Sequence, residues 1–352
     1  MEISKETILG ERLRRQRLTP PLETADGYVD LFRLLQPVPT GAWARPGDPP
    51  RLFPRTRFDD GAVADRMRAR REMVKGRFLG GTIGYVLADD LELYANAFCR
   101  PLTNLNDTQR IVFEAVQDVG PLTPRQIKEE TELLNKAIMP ALHRLQKAFL
   151  VYEDQTDSDW ERGWYDFEVE WPDVELDESR WAAAAAEVVL RFLEGHVFCT
   201  FEQLKDWSQV PKRSLVTLLQ EMDEAGRIVS LSVEGLGEGW ILAEDADLAG
   251  SGPVPSVFML HGGDMLCRSH SSELKRRFGG QEVLQYLLID GEFQGAVLGH
   301  WRIGPHDVDN ILVTLPEEER LHRRDEIVAV VAERYHPPRH HILRYDGWEL
   351  GS

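Results

Sequence analysis

The sequence predicts a mainly α-helical protein with β-wings, an α+β fold of tandem winged-helix units followed by a C-terminal α+β domain with a β-hairpin. Two observations predict this class. A pattern of three helices and two strands occurs twice, about 77 residues apart, and a later pair of apolar strands is joined by Asp290-Gly291, which favours a tight hairpin turn. We divide the 352 residues into units at 1–103, 104–178, 179–250 and 255–350.

The first unit is the least regular copy of the pattern. Its sequence predicts helices at residues 7–17, 24–35 and 60–73, with a Pro-rich insertion between the second and third. The Gly-rich stretch from Lys75 to Leu87 is predicted to form a wing. We therefore expect a winged-helix-like domain in residues 1–103.

The second and third units share a signal for the start of a helix. Thr123-Pro124-Arg125-Gln126 and Thr200-Phe201-Glu202-Gln203 each place a threonine three residues before a glutamine, the pattern of a capping box. A third helix follows in each unit, at about residues 136–149 and from Lys212 to a C-terminal cap at Gly226, and two extended stretches come after it. Three helices with a hairpin predict a winged helix in both units.

The last unit has a different pattern. Strands at 283–289 and 292–301 flank the Asp290-Gly291 turn, and a further strand at 310–315, a helix at 317–335 and a strand at 341–345 complete the prediction. This order predicts a small α+β domain.

The charge of the chain is distributed unevenly. The net charge is −18, but residues 1–103 carry 17 Lys/Arg against 14 Asp/Glu, whereas residues 104–254 carry 13 against 30. Three basic runs stand out, at residues 12–17, 66–77 and 268–277. Because neutralisation of phosphates supplies most non-specific affinity for DNA, we interpret the protein as an acidic body with a basic stripe that binds double-stranded DNA.

Candidate phosphate contacts follow from this interpretation. They lie in the second basic run and on the third helices of the next two units: Arg66, Arg70, Lys75, Arg77, Lys136, Arg144, Lys147, Lys212 and Arg213. Basic runs are also typical of solvated helix faces, so the alternative that each residue contacts only solvent stays open.

Several classes of protein are disfavoured. No run of about 18 apolar residues predicts a membrane span, and the charged N-terminal segment does not resemble a secretory leader, so we expect a cytoplasmic protein. The three cysteines, at 99, 199 and 267, are far apart, and no CxxC pair predicts zinc. The glycine clusters lack the lysine of a phosphate-binding loop, so we expect no cofactor and no metal.

Two segments resemble a known family. Leu34-Leu35-Gln36-Pro37 and then Gly41-Ala42-Trp43-Ala44-Arg45 resemble the Gly-Leu-Gln-x-Gln (or Gln-x-Asp) and Trp-Ala-Arg elements of YcaQ/AlkZ-type proteins. Gly81-Thr82 with Tyr85-Val86, followed by Ala88-Asp89-Asp90-Leu91, resembles their Arg-Gly-Thr-Leu-His-Leu-Val element with its acidic pair. The resemblance continues in order through Arg268 to Trp301.

The resemblance implies a tandem winged-helix DNA glycosylase that excises bulky N-alkylated purines or unhooks interstrand crosslinks. It implies that Gln36 is the catalytic residue and adds Arg45, Arg268 and Trp301 to the candidate DNA contacts. Val38 stands where the family has a second polar residue, and Gly80 and Gly84 replace its arginine and histidine. A glutamine can only position a water molecule or the sugar cation, which suffices when the leaving base is already cationic.

Three functions therefore stay open: a glycosylase, a non-catalytic DNA-binding protein such as a regulator or lesion binder, and a protein-interaction scaffold. The sequence shows no heptads and no long dimerisation helix, so we expect a monomer on one duplex. For Gln36, the alternative is a side chain that only caps the turn into Pro37, and for Trp43 it is a core aromatic residue.

Overall fold

The computed structural model describes residues 3–41, 45–302 and 305–350. Trp43 lies outside the described residues. The predicted fold class is confirmed: helices predominate, and the strands form small antiparallel sheets and one larger sheet that is antiparallel except for one parallel pair.

The first unit contains four helices and one hairpin: α1 (Lys5–Arg15), α2 (Tyr28–Leu35), α3 (Asp60–Ala69), β1 (Met73–Phe78), β2 (Thr82–Leu87) and α4 (Leu91–Phe98). Strands β1 and β2 pair antiparallel from Met73–Leu87 to Phe78–Thr82. This hairpin is wing 1. The helix α4 is an addition to the predicted pattern, and α2 begins four residues later than predicted.

The second unit contains α5 (Asp107–Val119), α6 (Pro124–Thr131), α7 (Asn135–Lys147), β3 (Val151–Glu153), β4 (Trp164–Asp166) and α8 (Phe167–Glu170). The predicted capping box is present at Thr123 and Gln126. The sequence predicts the second extended stretch over residues 164–169, but β4 ends at Asp166 because the Asp166 carboxylate accepts from the N–H groups of Glu168 and Val169 and starts α8. Strands β3 and β4 with the loop 154–163 are wing 2.

The third unit contains α9 (Trp181–His196), β5 (Phe198–Cys199), α10 (Phe201–Ser208), α11 (Lys212–Glu224), β6 (Ile228–Val233) and β7 (Gly237–Leu242). The capping box at Thr200 is present, and Gly226 has φ +66 just beyond α11. Strands β6 and β7 are wing 3, and β5 pairs with β7.

The C-terminal unit contains β8 (Val257–Leu260), α12 (Met265–Ser269), α13 (Ser271–Phe278), β9 (Val283–Ile289), β10 (Glu292–Gly299), β11 (Val308–Val313), α14 (Glu317–His322), α15 (Arg324–Ala332), β12 (Arg344–Tyr345) and β13 (Trp348–Glu349). Its six-stranded sheet has the order β13-β12-β11-β10-β9-β8. Asp290 and Gly291 both have positive φ, as the predicted tight turn requires. The long predicted helix is two shorter ones.

The apolar cores do not coincide with the four predicted units. Residues of the first and third units pack in one continuous core that Phe149, Tyr152 and Phe167 of the second unit join, and the second unit also has a separate core. Helix α1 packs against other units: Ile8 packs with Phe198 in the third unit, and Leu13 packs with Leu260 in the C-terminal unit. The division at 1–103, 104–178, 179–250 and 255–350 stays a prediction about sequence pattern.

The second unit supports wing 1 along its outer strand. The side-chain oxygen of Gln155 accepts from the N–H of Lys75 at 2.9 Å, and its NH₂ group donates to the carbonyl of Met73 at 2.7 Å. Nearer the turn, Nε of Arg77 donates to Oε1 of Gln146 at 2.7 Å. These bonds satisfy the edge of the hairpin and fix where its turn lies.

Candidate nucleic-acid interface

The turn of wing 1 has a backbone that requires glycine. Leu79, Gly80 and Gly81 have φ values of +44, +81 and +103, and the N–H of Gly81 donates to the carbonyl of Phe78 at 2.7 Å. Side chains with a Cβ rarely adopt such φ values. The sequence Gly80-Gly81 therefore lets the chain reverse tightly while other residues pack close to its backbone.

Two arginines bind the carbonyls of this turn. Arg77 donates from Nη1 to the carbonyl of Gly81 at 3.1 Å, and Arg268, on α12, donates from Nη2 to the carbonyl of Leu79 at 3.0 Å. Arg268 also donates from Nη1 to Oγ1 of Thr82 at 3.0 Å. Residues from the first and the C-terminal units thus meet at one turn.

Three further cations surround the same turn. A Cβ added to Gly81 would lie 2.3 Å from Cε of Lys147, and one added to Gly80 would lie 3.5 Å from Nη2 of Arg100. Arg144 lies one helical turn before Lys147 on α7 and is exposed. We call Arg77, Arg100, Arg144, Lys147 and Arg268 the wing-1 cluster.

The wing-1 cluster lacks ion pairs in the described chain, although the charge of Glu153 partly offsets the effect of burial on the pKa of Arg77. None of its five members forms an ion pair within the described ranges 3–41, 45–302 and 305–350. Partial burial and then the charges of Arg77, Arg100 and Arg144 lower the pKa of Lys147. Burial and Arg77 likewise lower the pKa of His143 on the same helix. Cations that repel one another in this way form a favourable site for an anion.

The third unit completes the surroundings of the turn. A Cβ on Gly80 would lie 2.8 Å from Cβ of Gln209, which ends α10. The exposed residues Lys212 and Arg213 begin α11 three and four residues later, within about 15 Å along the chain. Cations of the first, second and C-terminal units therefore border one turn, and the third unit adds Gln209, with Lys212 and Arg213 shortly after it in the chain.

Some of the predicted contacts are internal pins. Lys75 is 6% exposed and its ammonium pairs with Glu153 at 2.7 Å, so it is not available to a phosphate, and this prediction is wrong for the structure as it stands. The first basic run is also structural. Arg12 is buried and donates to the carbonyls of His196 and Phe198, and Arg15 pairs with Asp245 at 2.6 Å. Lys75, Arg12 and Arg15 therefore make their contacts within the protein and not with a ligand.

Other predicted contacts are exposed but lie elsewhere. Arg66 and Arg70 are exposed at the end of α3, and the six residues of β1 separate them from the wing-1 turn by about 20 Å. Arg45 is exposed and its N–H donates to the Asp48 carboxylate. Trp301 is 52% exposed. The structure brings Arg77, Arg144 and Arg268 together but leaves these four residues outside the wing-1 cluster.

Gln36 lies in a closed environment. It is 1% exposed, its Nε2 donates to Oδ2 of Asp90 at 2.8 Å, and its Oε1 accepts from the N–H of Leu87 at 2.9 Å. Asp90 also accepts from Arg33 and Arg191, and these donors keep its pKa below the usual value despite burial. Gln36 anchors the base of wing 1, and its amide atoms are occupied.

The two neighbouring positions are closed as well. Val38 is 3% exposed, and its backbone exchanges hydrogen bonds of 2.9 and 2.8 Å with Tyr85 on β2. A Cβ on Gly84 would lie 3.0 Å from Cβ of Pro37, so glycine at 84 lets the Gln36–Val38 segment pack flat against β2. No polar side chain from these positions reaches an open surface.

The sequence prediction missed two residues of this site. Arg100 is a lone cation in a linker, and only the absence of nearby carboxylates in its segment distinguishes it. Gln155 supports wing 1 from a loop 80 residues away, and nothing local to it indicates that contact. Both roles depend on contacts between distant segments.

A cavity elsewhere in the molecule has the opposite charge. It has a volume of about 950 Å³ and lies between α4, α9 and the segment after α8. Its lining includes four carboxylate residues, Asp89, Glu92, Glu170 and Asp173, with one cation, Arg180. An acidic cavity repels phosphate, so it is not part of the nucleic-acid interface.

The described part of the chain contains neither a candidate membrane-spanning helix nor a candidate metal site. No helix there is long and apolar enough to cross a membrane. No group of three or more His, Cys, Asp or Glu side chains there is arranged to hold a metal ion.

The chain is similar to known proteins in sequence and in fold. A family model described as DNA glycosylase AlkZ-like matches residues 48–304. Among solved structures, the DNA glycosylase AlkZ of Streptomyces sahachiroi is similar over 94% of this chain and 96% of its own, with a TM-score of 0.69 and 16% identity. No curated protein matches. The matched range contains wing 1 and all five cations around it, whereas Gln36 and Val38 precede it.

Proposed function

This chain belongs to the AlkZ-like DNA glycosylase family, and from that premise we propose that it binds double-stranded DNA carrying an N-alkylated or crosslinked purine, one copy to each duplex. It is a DNA-binding protein with tandem winged helices.

The observation that carries the proposal is the wing-1 cluster. Five cations without ion pairs in the described ranges converge on one turn in a chain of net charge −18. Because the average surface is acidic, a phosphate backbone is attracted to this turn and repelled by its surroundings. Electrostatic complementarity of this kind fixes the orientation of a duplex before any base is contacted.

A titration against salt tests the binding surface. We expect fluorescence anisotropy with a 24-base-pair duplex to give a log–log salt dependence of about −4 to −5, since each neutralised phosphate contributes roughly −0.9. A duplex with one N7-alkylguanine should bind more tightly than the unmodified one. Absence of binding at about 50 mM salt, where such contacts are strong, would contradict the proposed function.

A specific observation favours one fate of the base. Gln36 is enclosed with both amide atoms bonded, Val38 has no polar group, and Gly84 adds none. In this structure, the segment that would position water in a glycosylase therefore presents no exposed polar side chain to a substrate. We infer that the protein retains alkylated DNA rather than releasing the base through this segment.

Base release separates the two candidate functions. The protein is incubated with the N7-alkylguanine duplex, and free base is measured by chromatography. Binding without release supports the lesion binder. Release that survives in Gln36→Ala would assign excision to other residues, and release lost in a folded Gln36→Ala protein would restore Gln36 as the catalytic residue. Circular dichroism of the variant establishes that it is folded.

A further inference from the structure

We propose that the cavity between wing 1 and the C-terminal unit is a seat for a single phosphodiester group of the bound DNA strand, with Arg268 and Lys275 as its cationic ligands. The cavity has a volume of about 360 Å³, and Leu79, Thr82, Arg268 and Lys275 line it. This inference rests on the DNA-binding function proposed above. It gives one member of the wing-1 cluster a fixed position on the strand.

Arg268 is a partly buried guanidinium held only by neutral atoms. Its two hydrogen bonds go to the carbonyl of Leu79 and to Oγ1 of Thr82, and its Nε is enclosed without an acceptor in the described residues. No carboxylate of the described chain pairs with it, and burial alone lowers the pKa of Arg268. Its positive charge is therefore not compensated within the described protein.

A fully buried arginine, Arg55, shows how the protein neutralises such a charge. Arg55 is 2% exposed, and its Nη1 donates to Oδ2 of Asp264 at 2.6 Å while Nη2 donates to Oε1 of Gln16 at 2.8 Å. Asp264 caps α12, the same short helix that carries Arg268. One end of this helix thus has a neutralised arginine and the other has an unneutralised one beside a cavity. A partly desolvated charge without a partner is unfavourable, so an anionic ligand is the natural counter-charge.

The chemistry of the cavity fits phosphate. The planar fork of a guanidinium matches two phosphate oxygens, and the bonds to Leu79 and Thr82 hold that fork in one orientation. Lys275 on α13 is exposed and adds a second positive charge. The carboxylate of Asp206 also lines the cavity, but both of its oxygens accept from Ser272, at 2.6 and 2.8 Å.

The fixed fork distinguishes Arg268 from the exposed cations of the cluster. Arg144 can follow any phosphate that passes within reach, because its side chain is exposed and unpaired in the described chain. Arg268 can bind only the phosphate that enters the cavity. One phosphate in the binding site should therefore be far more sensitive to neutralisation than its neighbours, and it sets the register of the duplex.

A scan with neutral linkages tests this inference. Single methylphosphonates are placed at successive positions of the 24-base-pair duplex that contains N7-alkylguanine. For the wild-type protein we expect one position at which the neutral linkage weakens binding at least tenfold. In Arg268→Gln that position should lose its effect, to less than twofold, whereas in Arg144→Gln it should keep it. A duplex with a 5′-terminal phosphate serves as a further arm, and tighter binding of it than of the unphosphorylated duplex would assign the seat to strand ends instead.

A second pair of variants guards against a folding defect in Arg268→Gln. Lys275→Gln should reduce the effect of the sensitive linkage at least threefold, whereas Arg276→Gln, an exposed neighbour on the same helix outside the cavity lining, should not change it. Equal small effects at every linkage in a wild-type protein that binds the duplex would overturn the seat and leave the proposed function intact. Failure of the wild-type protein to bind any duplex would instead overturn the proposed function.

Discussion

Wing 1 and wing 2 are hairpins at equivalent places in two winged-helix units, yet their turns carry opposite charge. The turn of wing 1 is surrounded by five cations that lack ion pairs in the described chain. The loop of wing 2, residues 154–163, carries four carboxylates and one arginine. That arginine, Arg162, pairs with Glu153.

The carboxylates of wing 2 have a local structural use. Asp154 accepts from the N–H groups of Thr156 and Asp157 at 2.8 and 2.7 Å, and Asp157 accepts from Asp159 at 2.8 Å. These bonds shape the loop, and Gln155 in the same loop binds the edge of wing 1. Wing 2 is therefore a brace and wing 1 is the candidate binding surface. The same topology does not assign the same role, because charge and neighbours decide it.

Charge reversal beside wing 1 should give the largest effect. We expect Arg144→Glu with Lys147→Glu to weaken duplex binding roughly 100-fold at about 0.15 M salt, since two phosphate contacts become repulsive. Fluorescence anisotropy measures the change. The matched control is Arg110→Glu with Arg125→Glu, exposed cations of the same unit that pair with Asp107 and Glu161. Equal losses in both double variants would remove the distinction between the two wings.

Removal of the anchor at the base of wing 1 should give the next largest effect. Gln36→Ala deprives Asp90 of a donor and leaves the N–H of Leu87 without its acceptor. We expect the free energy of unfolding to fall by about 2–3 kcal/mol, the usual cost of such losses at a buried site. Denaturant unfolding measures it. Gln126→Ala, which removes an exposed capping glutamine in the second unit, should cost less than about 1 kcal/mol.

The pH dependence of the stability difference between wild type and Gln36→Ala tests whether Asp90 is the partner through which Gln36 stabilises the fold. The donors Arg191, Gln36 and Arg33 hold the pKa of folded Asp90 below 3.8, so its stabilising contribution is complete above the unfolded value and is lost as pH falls through the folded value. The gap between wild type and Gln36→Ala should be constant from pH 7 to pH 5 and shrink below about pH 4. A gap that stays constant to pH 3 would mean that Asp90 is not the partner that matters.

Alanine variants of two glycines distinguish the effect of backbone strain from the effect of contact with Lys147. Gly81→Ala and Gly237→Ala both place Cβ on a residue with positive φ, +103 and +86, so both should lose about 1 kcal/mol of stability. Only at Gly81 does the added Cβ meet Lys147, whereas nothing lies within 4 Å at Gly237 in wing 3. We therefore expect about tenfold weaker duplex binding for Gly81→Ala alone. Similar losses of affinity in both variants would make the effect one of general instability.

Neutralisation of wing 2 should have the smallest effect. Asp157→Asn with Asp159→Asn keeps side-chain oxygens that can accept the loop hydrogen bonds but removes two negative charges. We expect about twofold tighter duplex binding at 50 mM salt and no change at 0.5 M salt, since a loop outside the interface acts only through its screened field. A change that persists at high salt would place wing 2 in contact with the DNA.

Local patterns were enough to predict most elements. The capping boxes at Thr123 and Thr200, the C-terminal cap at Gly226 and the Asp290-Gly291 turn each act through residues a few positions apart, and all are present. The errors lie where a side chain or a packing partner intervenes. Asp166 ends a strand early, and α1 packs on the third and C-terminal units rather than on its own.

The candidate site could be predicted only in part. The sequence identifies Arg77, Arg144 and Arg268 as cations, but Lys75 and Arg12 look the same in the sequence and are buried pins. A cation is free or paired according to which distant carboxylate or carbonyl reaches it. No pattern of neighbouring residues contains that information.

By itself, the sequence determined the sign of the charge in each segment, the repeated helices and wings, and the glycines that let wing 1 turn. The tertiary structure alone decided that Arg100 and Lys147 meet at that turn, that Gln36 is enclosed and that Arg268 has no counter-charge. The physical reason is range. Backbone conformation depends on residues a few positions apart, whereas burial and ion pairing depend on segments that only folding brings within a few ångströms.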